Sequence, residues 1–135
     1  IELDREINYI RNYIALQKSR IDERIKVSFC AHETNGRTLV PPLILITFIE
    51  NAFKYVGFNE CKENRIDICL KHDNGILEFN IFNTKDSYID QRTDSSGLGI
   101  ANARRRLELL YPGKHSLNID EQENTYTVNL TLSDL

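Results

Sequence analysis

The sequence predicts an α+β domain of two layers: a mixed, mostly antiparallel sheet of about five strands with three helices on one face. Two observations carry that prediction. Segments with helical apolar spacing alternate with short segments of period two. The order is helix, strand, helix, strand, strand, polar segment, helix, strand, strand, and it makes hairpin partners of the second and third strands and of the fourth and fifth. With 135 residues, the chain has length enough for one core.

The elements follow in order. Leu3, Ile7, Ile10, Ile14, Gln17 and Ile21 recur at steps of four and three, a single helical stripe over Glu2–Ser19. "IKVSFC", Ile25–Cys30, alternates as a strand. "HETNGRT" is a turn, after which Pro41-Pro42 opens a second helix that Gly57 closes. "RIDICLK" and "ILEFNIFN" are strands joined by the hairpin signal Asp73-Asn74-Gly75. Leu77, Phe79, Ile81 and Asn83 share one face of the second of these. Thr84–Gly99 is a polar segment of turn-forming residues, long enough to read as a functional or mobile loop. A third helix runs from about Gly99 to Tyr111, with Ile100, Ala103, Leu107 and Leu110 as its stripe, and stops at Pro112-Gly113. "SLNI" and "TYTVNLTL" are the last strands, with a turn at "DEQEN".

Composition narrows the class. Hydrophobic content of 41% and charged content of 27% suit a folded globular chain. A formal charge of −3 makes no case for direct nucleic-acid binding. The apolar run around Leu43–Ile49 is too short to cross a bilayer, and the charged Ile1–Arg20 is no signal peptide. Cys30, Cys61 and Cys69 form no CxxC pair and read as free thiols of a reducing compartment. A zinc site from one of them with His32 or His72 lacks a close ligand pair. His32, His72 and His115 fall in or near turns and read as surface residues. The chain starts at Ile1, within a helix, and holds no Met, which suggests a piece of something longer.

The second helix carries the first candidate chemistry. Asn51 falls on the face of Ile44 and Phe48, with Glu50 and Lys54 beside it, four residues apart. An amide oxygen suits Mg²⁺, an ammonium suits phosphate, and a carboxylate can orient a nucleophile. A Glu–Lys surface pair at a helix end would look the same. Gly97 and Gly99, set before a helix N-terminus, outline a phosphate site or simply a flexible loop. No P-loop motif is present, and the spacing from the preceding strand is wrong for a dinucleotide fingerprint. Asn83 ends an apolar face and needs a partner, either a ligand or a turn. Arg104-Arg105-Arg106 points in three directions around a helix and forms no single patch.

Three blocks in this order, "LDREINYIRNYIALQKSRIDERI", "VPPLILITFIENAFKYV" and "GLGIANARRRLELLYPG", resemble the ATP-binding domain of sensor histidine kinases. That is the GHKL or Bergerat fold, and more narrowly the blocks look like the LytS/YehU type. The resemblance implies a connector helix at 1–24 and a catalytic ATP-binding domain at 25–135. It implies that Asn51 ligates Mg²⁺ on the ATP phosphates, that Glu50 aids the attacking histidine, that Lys54 faces the phosphates and that Tyr55 lines the site. Gly97, Leu98 and Gly99 would hold phosphate at the lid hinge, with Asn102 following.

Two departures accompany the resemblance. Asn83 stands where the family has an adenine-binding Asp, and Lys85 stands where it has a glycine. A neutral acceptor loses charge assistance, which implies weaker or less selective adenine binding. No phosphoacceptor motif such as "NPHFLFN" occurs, so the γ-phosphoryl would pass to a histidine on an upstream helix absent from this chain. The resemblance further implies a full-length homodimer, a response regulator of the LytTR class, and a cytoplasmic domain of an inner-membrane sensor whose membrane segments lie upstream. Two other readings stay open: a degenerate nucleotide-binding or protein-interaction module, and another GHKL protein kinase such as an anti-sigma serine kinase.

Overall fold

The structure, a computed structural model, describes residues 1–33, 37–57, 63–86 and 96–135. Its elements are α1 (Leu3–Lys18), β1 (Lys26–Glu33), α2 (Ile44–Tyr55), β2 (Arg65–Asp73), β3 (Ile76–Thr84), α3 (Ser96–Leu110), β4 (His115–Glu121) and β5 (Thr125–Leu132). The strands form one sheet in the order β1-β2-β3-β5-β4. Among the described strands only the β1–β2 pair is parallel, because α2 lies between those strands in the chain and returns it to the same end. The predicted two-layer α+β architecture is the observed one.

Alternation along the strands decides the two faces. On β2, Ile66, Ile68, Leu70 and His72 point inward; on β3, Leu77, Phe79, Ile81 and Asn83 do. The register then builds rows across the sheet, among them Phe29–Ile68–Ile81–Val128–Ile119 and Val27–Ile66–Asn83–Tyr126–Glu121. The first row is apolar throughout. The second becomes polar at Asn83, which marks where the core gives way to a site. Asn74 and Gly75 both take positive φ, 52° and 76°, the geometry of a tight hairpin turn.

The helices cover this inner face. α1 buries Leu3, Ile7, Ile10 and Ile14 over the β1 side, where the Arg11 guanidinium stacks 5.1 Å from the Phe29 ring. α2 is apolar on nearly every side and packs on β2 and β3, burying Ile44, Leu45, Ile46, Phe48, Ile49, Ala52 and Phe53. Each large side chain among them contributes about 1.5–3 kcal/mol by leaving water. An edge-on Tyr13–Phe53 pair, 5.8 Å between centroids, joins α1 to α2. The start of α1 is pinned to the segment before α2 by Leu3 N–H donating to Thr38 O at 2.7 Å and Val40 N–H to Ile1 O at 2.8 Å.

Three sequence expectations change. Leu110 is exposed, and Tyr111 packs against the core in its place. The α3 stripe drifts by one residue, because the helix unwinds after Leu110 and turns Tyr111 inward. His72 is buried rather than on the surface, because β2 runs on to Asp73 and carries position 72 onto the inner face. The third helix begins at Ser96, not near Gly99.

Candidate functional site

The N-terminus of α2 is built on a strained residue. Leu43 takes φ 64° and ψ 9°, a left-handed conformation that costs a side-chain-bearing residue on the order of 1 kcal/mol. Three contacts over-determine it. The Glu6 carboxylate accepts the Leu43 N–H, Thr47 Oγ1 donates to Leu43 O at 2.9 Å, and Arg106 Nη2 donates to Pro42 O at 3.1 Å. α1 and α3 therefore both clamp the start of the helix that carries the candidate residues. A carboxylate there also suits the positive end of the helix dipole.

At the other end of α2 the candidates separate by exposure. Asn51 is buried, and its Nδ2 has no hydrogen-bond partner among the described residues. Glu50 and Lys54 are exposed. The Lys54 ammonium lies 5.5 Å from the centre of the Tyr55 ring, and Tyr55 is itself buried. Asn51 and Tyr55 thus share the inward face, one turn apart, with two charges beside them at the surface.

β3 brings Asn83 to the same side. It is 1% exposed, and its Nδ2 donates to Thr84 O at 3.1 Å, which leaves Oδ1 buried with no partner among the described residues. That hydrogen bond orients the amide: its free end is an acceptor. Beyond it, Lys85 turns into the structure and its Nζ meets Glu121 Oε2 at 2.8 Å. A cavity of about 290 Å³ opens beside this pair, lined by Lys85, Glu121, Gln122 and Glu123. With two carboxylates to one ammonium, it disfavours a phosphate group.

Gly57 ties the end of α2 to the end of β3. Val56 and Lys85 form an antiparallel bridge, and Gly57 N–H donates to Thr84 O at 3.1 Å. A Cβ at position 57 would strike Asp86 N and lie 2.7 Å from the Lys85 carbonyl carbon. The absence of a side chain is what lets the two segments touch, and so what holds Tyr55 next to the Asn83 strand end.

The glycine motif sits differently from expectation. Gly97, Leu98 and Gly99 lie inside the first turn of α3 rather than ahead of it. The helix starts three residues early because Ser96 can enter a first turn, where glycine costs less than it does mid-helix. Gly99 faces α2, where an added Cβ would sit 3.8 Å from Thr47 Cγ2, one turn before Asn51. Asn102 is exposed on the same helix. Most of the predicted lid, residues 87–95, lies outside the described residues.

Glu6, Arg106 and Gly57 were not among the expected functional positions. Glu6 interrupts the α1 stripe beside Ile7, and a charge there is a legible sign of a buried partner. Burial raises its carboxyl pKa above the ordinary 4.5, against the Leu43 N–H, the chain's amino terminus and Arg106, which pull it down. Arg106 alone of the arginine run turns in; Arg104 and Arg105 are exposed.

No protein-family model matches the chain. It is 27% identical over 140 residues to the sensor protein LytS of Staphylococcus haemolyticus, covering 96% of this chain and 24% of that protein. The chain spans about a quarter of the length of the curated relatives it matches. Among solved structures, it superposes on the catalytic domain of histidine kinase ThkA with a TM-score of 0.62 at 17% identity, covering 96% of this chain and 92% of that one. The mycobacterial sensor histidine kinase MprB gives a TM-score of 0.62 at 18% identity, covering 98% of this chain and 95% of that one.

Proposed function

We propose that this chain, which has the fold of histidine kinase catalytic domains and is similar to LytS sensor proteins over nearly its whole length, binds ATP with Mg²⁺ between α2, the end of β3 and the start of α3. The observation that supports this most is the pair of buried asparagines. Asn51 and Asn83 each bring a polar atom into the interior with nothing in the described protein to satisfy it. A buried polar group left unpaired costs about 1–3 kcal/mol, so two on one side of the sheet suit a ligand that pairs with them.

Each residue has a role that its chemistry suits. Asn83 Oδ1 accepts from the exocyclic amine of adenine. Tyr55 lines the pocket. The unpaired Nδ2 of Asn51 is a donor, which suits a phosphate oxygen, and its amide oxygen suits Mg²⁺, a hard cation that keeps oxygen ligands. Bound there, the metal neutralises phosphate charge. Lys54 adds a positive charge at the rim. The first turn of α3, Gly97 to Gly99, presents backbone N–H groups at a positive helix end, and Asn102 borders it. Glu50, exposed beside Asn51, orients the acceptor histidine supplied by the upstream phosphoacceptor helix. The reaction is then a transfer of the γ-phosphoryl, driven by positioning and charge stabilisation. In the full-length protein, the reading includes a homodimer, a response regulator of the LytTR class and a cytoplasmic position attached to membrane segments outside this chain. These 135 residues carry no phosphoacceptor motif, so no histidine autophosphorylation is expected of them alone.

Titration with a fluorescent ATP analogue, with and without Mg²⁺, tests this. Saturable, Mg²⁺-dependent binding that weakens in Asn51→Asp is expected. No saturable binding at millimolar ligand overturns it, and so does an Asn51→Asp variant that binds like wild type. The same titration decides a second reading, a degenerate interaction module. That reading draws on the pair of buried Lys85 with half-buried Glu121 near Asn83, since the family resemblance leads one to expect glycine at position 85.

A further inference from the structure

We propose that Cys30 and Cys69 form a dithiol modification site that a hydroperoxide oxidises reversibly to an intrachain disulfide. The two residues are direct register partners on the parallel strands β1 and β2. Their side chains point to the outer face, away from the helices, and the Sγ atoms lie 2.6 Å apart. Both thiols are free, Cys30 exposed and Cys69 half-buried. Adjacent strands run about 4.8 Å apart. Direct partners therefore already fall within the roughly 4.4–6.8 Å Cα separation that a disulfide bridges without backbone movement.

The surroundings favour reaction at Cys30. It sits on an edge strand, open to solvent, with Ser28–Asp67 as the neighbouring pair on one side and His32–Lys71 on the other. Contact with Cys30 holds the Cys69 thiol protonated to higher pH, with burial acting the same way and Lys71 opposing. Cys30 is therefore the attacking sulfur and Cys69 the resolving one.

The chemistry balances in two steps. The Cys30 sulfur attacks the terminal oxygen of the hydroperoxide. The O–O bond breaks, an alcohol or water leaves with the thiol proton, and Cys30 becomes a sulfenic acid. The Cys69 sulfur then attacks the Cys30 sulfur. The S–O bond breaks, water leaves, and the S–S bond forms. The two thiols lose two electrons, which the peroxide takes up. Low-molecular-weight thiols reverse it by exchange. In a reducing compartment, a disulfide of this kind is transient and signalling rather than structural.

The bond would close the chain segment from 30 to 69, which contains α2, and would fasten the edge strand β1 to the sheet. The site lies on the opposite face from Asn51 and Asn83 and does not depend on the nucleotide reading. The test treats the purified full chain, carrying Cys61→Ser to remove the third thiol, with hydrogen peroxide. Expected are the loss of two hydrogens in intact mass, a linked peptide pair containing Cys30 and Cys69, and a rise in Tm of about 5–10 °C that a reducing thiol reverses. Cys69→Ser should stop at a trappable Cys30 sulfenic acid with no Tm gain. Intermolecular dimers alone, progression of Cys30 to sulfinic acid without a link, or thiols unchanged by peroxide would each overturn the proposal. In the wild-type chain, a link that runs through Cys61 instead would do so too.

Discussion

Lys85 Nζ lies 2.8 Å from Glu121 Oε2, with the lysine side chain 6% exposed and the glutamate 20%. Lys85 follows β3 and Glu121 ends β4, so the pair joins the central strand end to the far edge of the sheet across β5. Neither group would enter such a place alone, because a desolvated charge without its partner is strongly unfavourable. Glu121→Gln should therefore lower unfolding stability by about 1–3 kcal/mol in urea titration. Lys85→Met with Glu121→Leu should recover most of the loss, since an apolar pair of similar volume replaces an ion pair at little cost. A double variant as unstable as the single would show that the pair is not what holds these strand ends.

The oriented amide of Asn83 makes a prediction about base choice. Its Nδ2 is committed to Thr84 O, so only an acceptor is offered. Wild type should bind ATP tighter than the analogue whose purine lacks the exocyclic amine, by about 0.5–1.5 kcal/mol, one hydrogen bond's worth. Asn83→Ala should erase that difference. Its stability should change little, because removal of the orphaned Oδ1 offsets loss of the Nδ2 hydrogen bond, and Thr84 O keeps the Gly57 N–H. Equal discrimination in both proteins would move the base elsewhere.

Gly57 is where the helix end and the strand end meet. Gly57→Ala forces a methyl group against the backbone of Lys85 and Asp86, neither of which can swing away as a side chain would. A loss of about 1–3 kcal/mol is expected from chemical denaturation. Gly99→Ala is the control: its Cβ meets only Thr47 Cγ2, at 3.8 Å, and a helical alanine should hold or raise stability. If the two substitutions proved equally harmless, the close approach at Gly57 would be refuted.

Glu6 supplies a pH dependence. Its carboxyl pKa is raised in the folded state, chiefly by burial, so between 4.5 and that raised value the folded protein holds more protons than the unfolded one. Stability from this group is therefore present below pH 4.5 and lost as pH rises through the folded value. Glu6→Gln can keep an acceptor for the Leu43 N–H without the charge. Its stability relative to wild type should increase as pH goes from about 4.5 toward neutrality. A constant difference across that range, measured by urea unfolding, would contradict the assignment.

Much of the candidate site was legible because it follows local spacing. Asn51 shares a helical face with Ile44 and Phe48, and Asn83 continues the alternation of Leu77, Phe79 and Ile81; both are buried as that periodicity requires. Glu6 and His72 were not legible. A polar residue's burial depends on what packs over it: for Glu6, the start of α2, and for His72, an inner sheet face extended by two residues beyond the predicted strand. Arg106 could not be told from Arg104 and Arg105, since only the distance to Pro42 O separates them.

By itself, then, the sequence determined the two-layer α+β class, the order of helices and strands, and which faces of them are apolar. Those properties rest on periodicity within a few residues, where backbone geometry alone decides which side chains share a face. The tertiary structure decided what meets what across the chain. It brought Lys85 to Glu121, Cys30 to Cys69, Gly57 to the end of β3 and Glu6 to Leu43. Such meetings depend on strand order, register and helix packing, and these are settled by burial of the whole core at once rather than by any local signal.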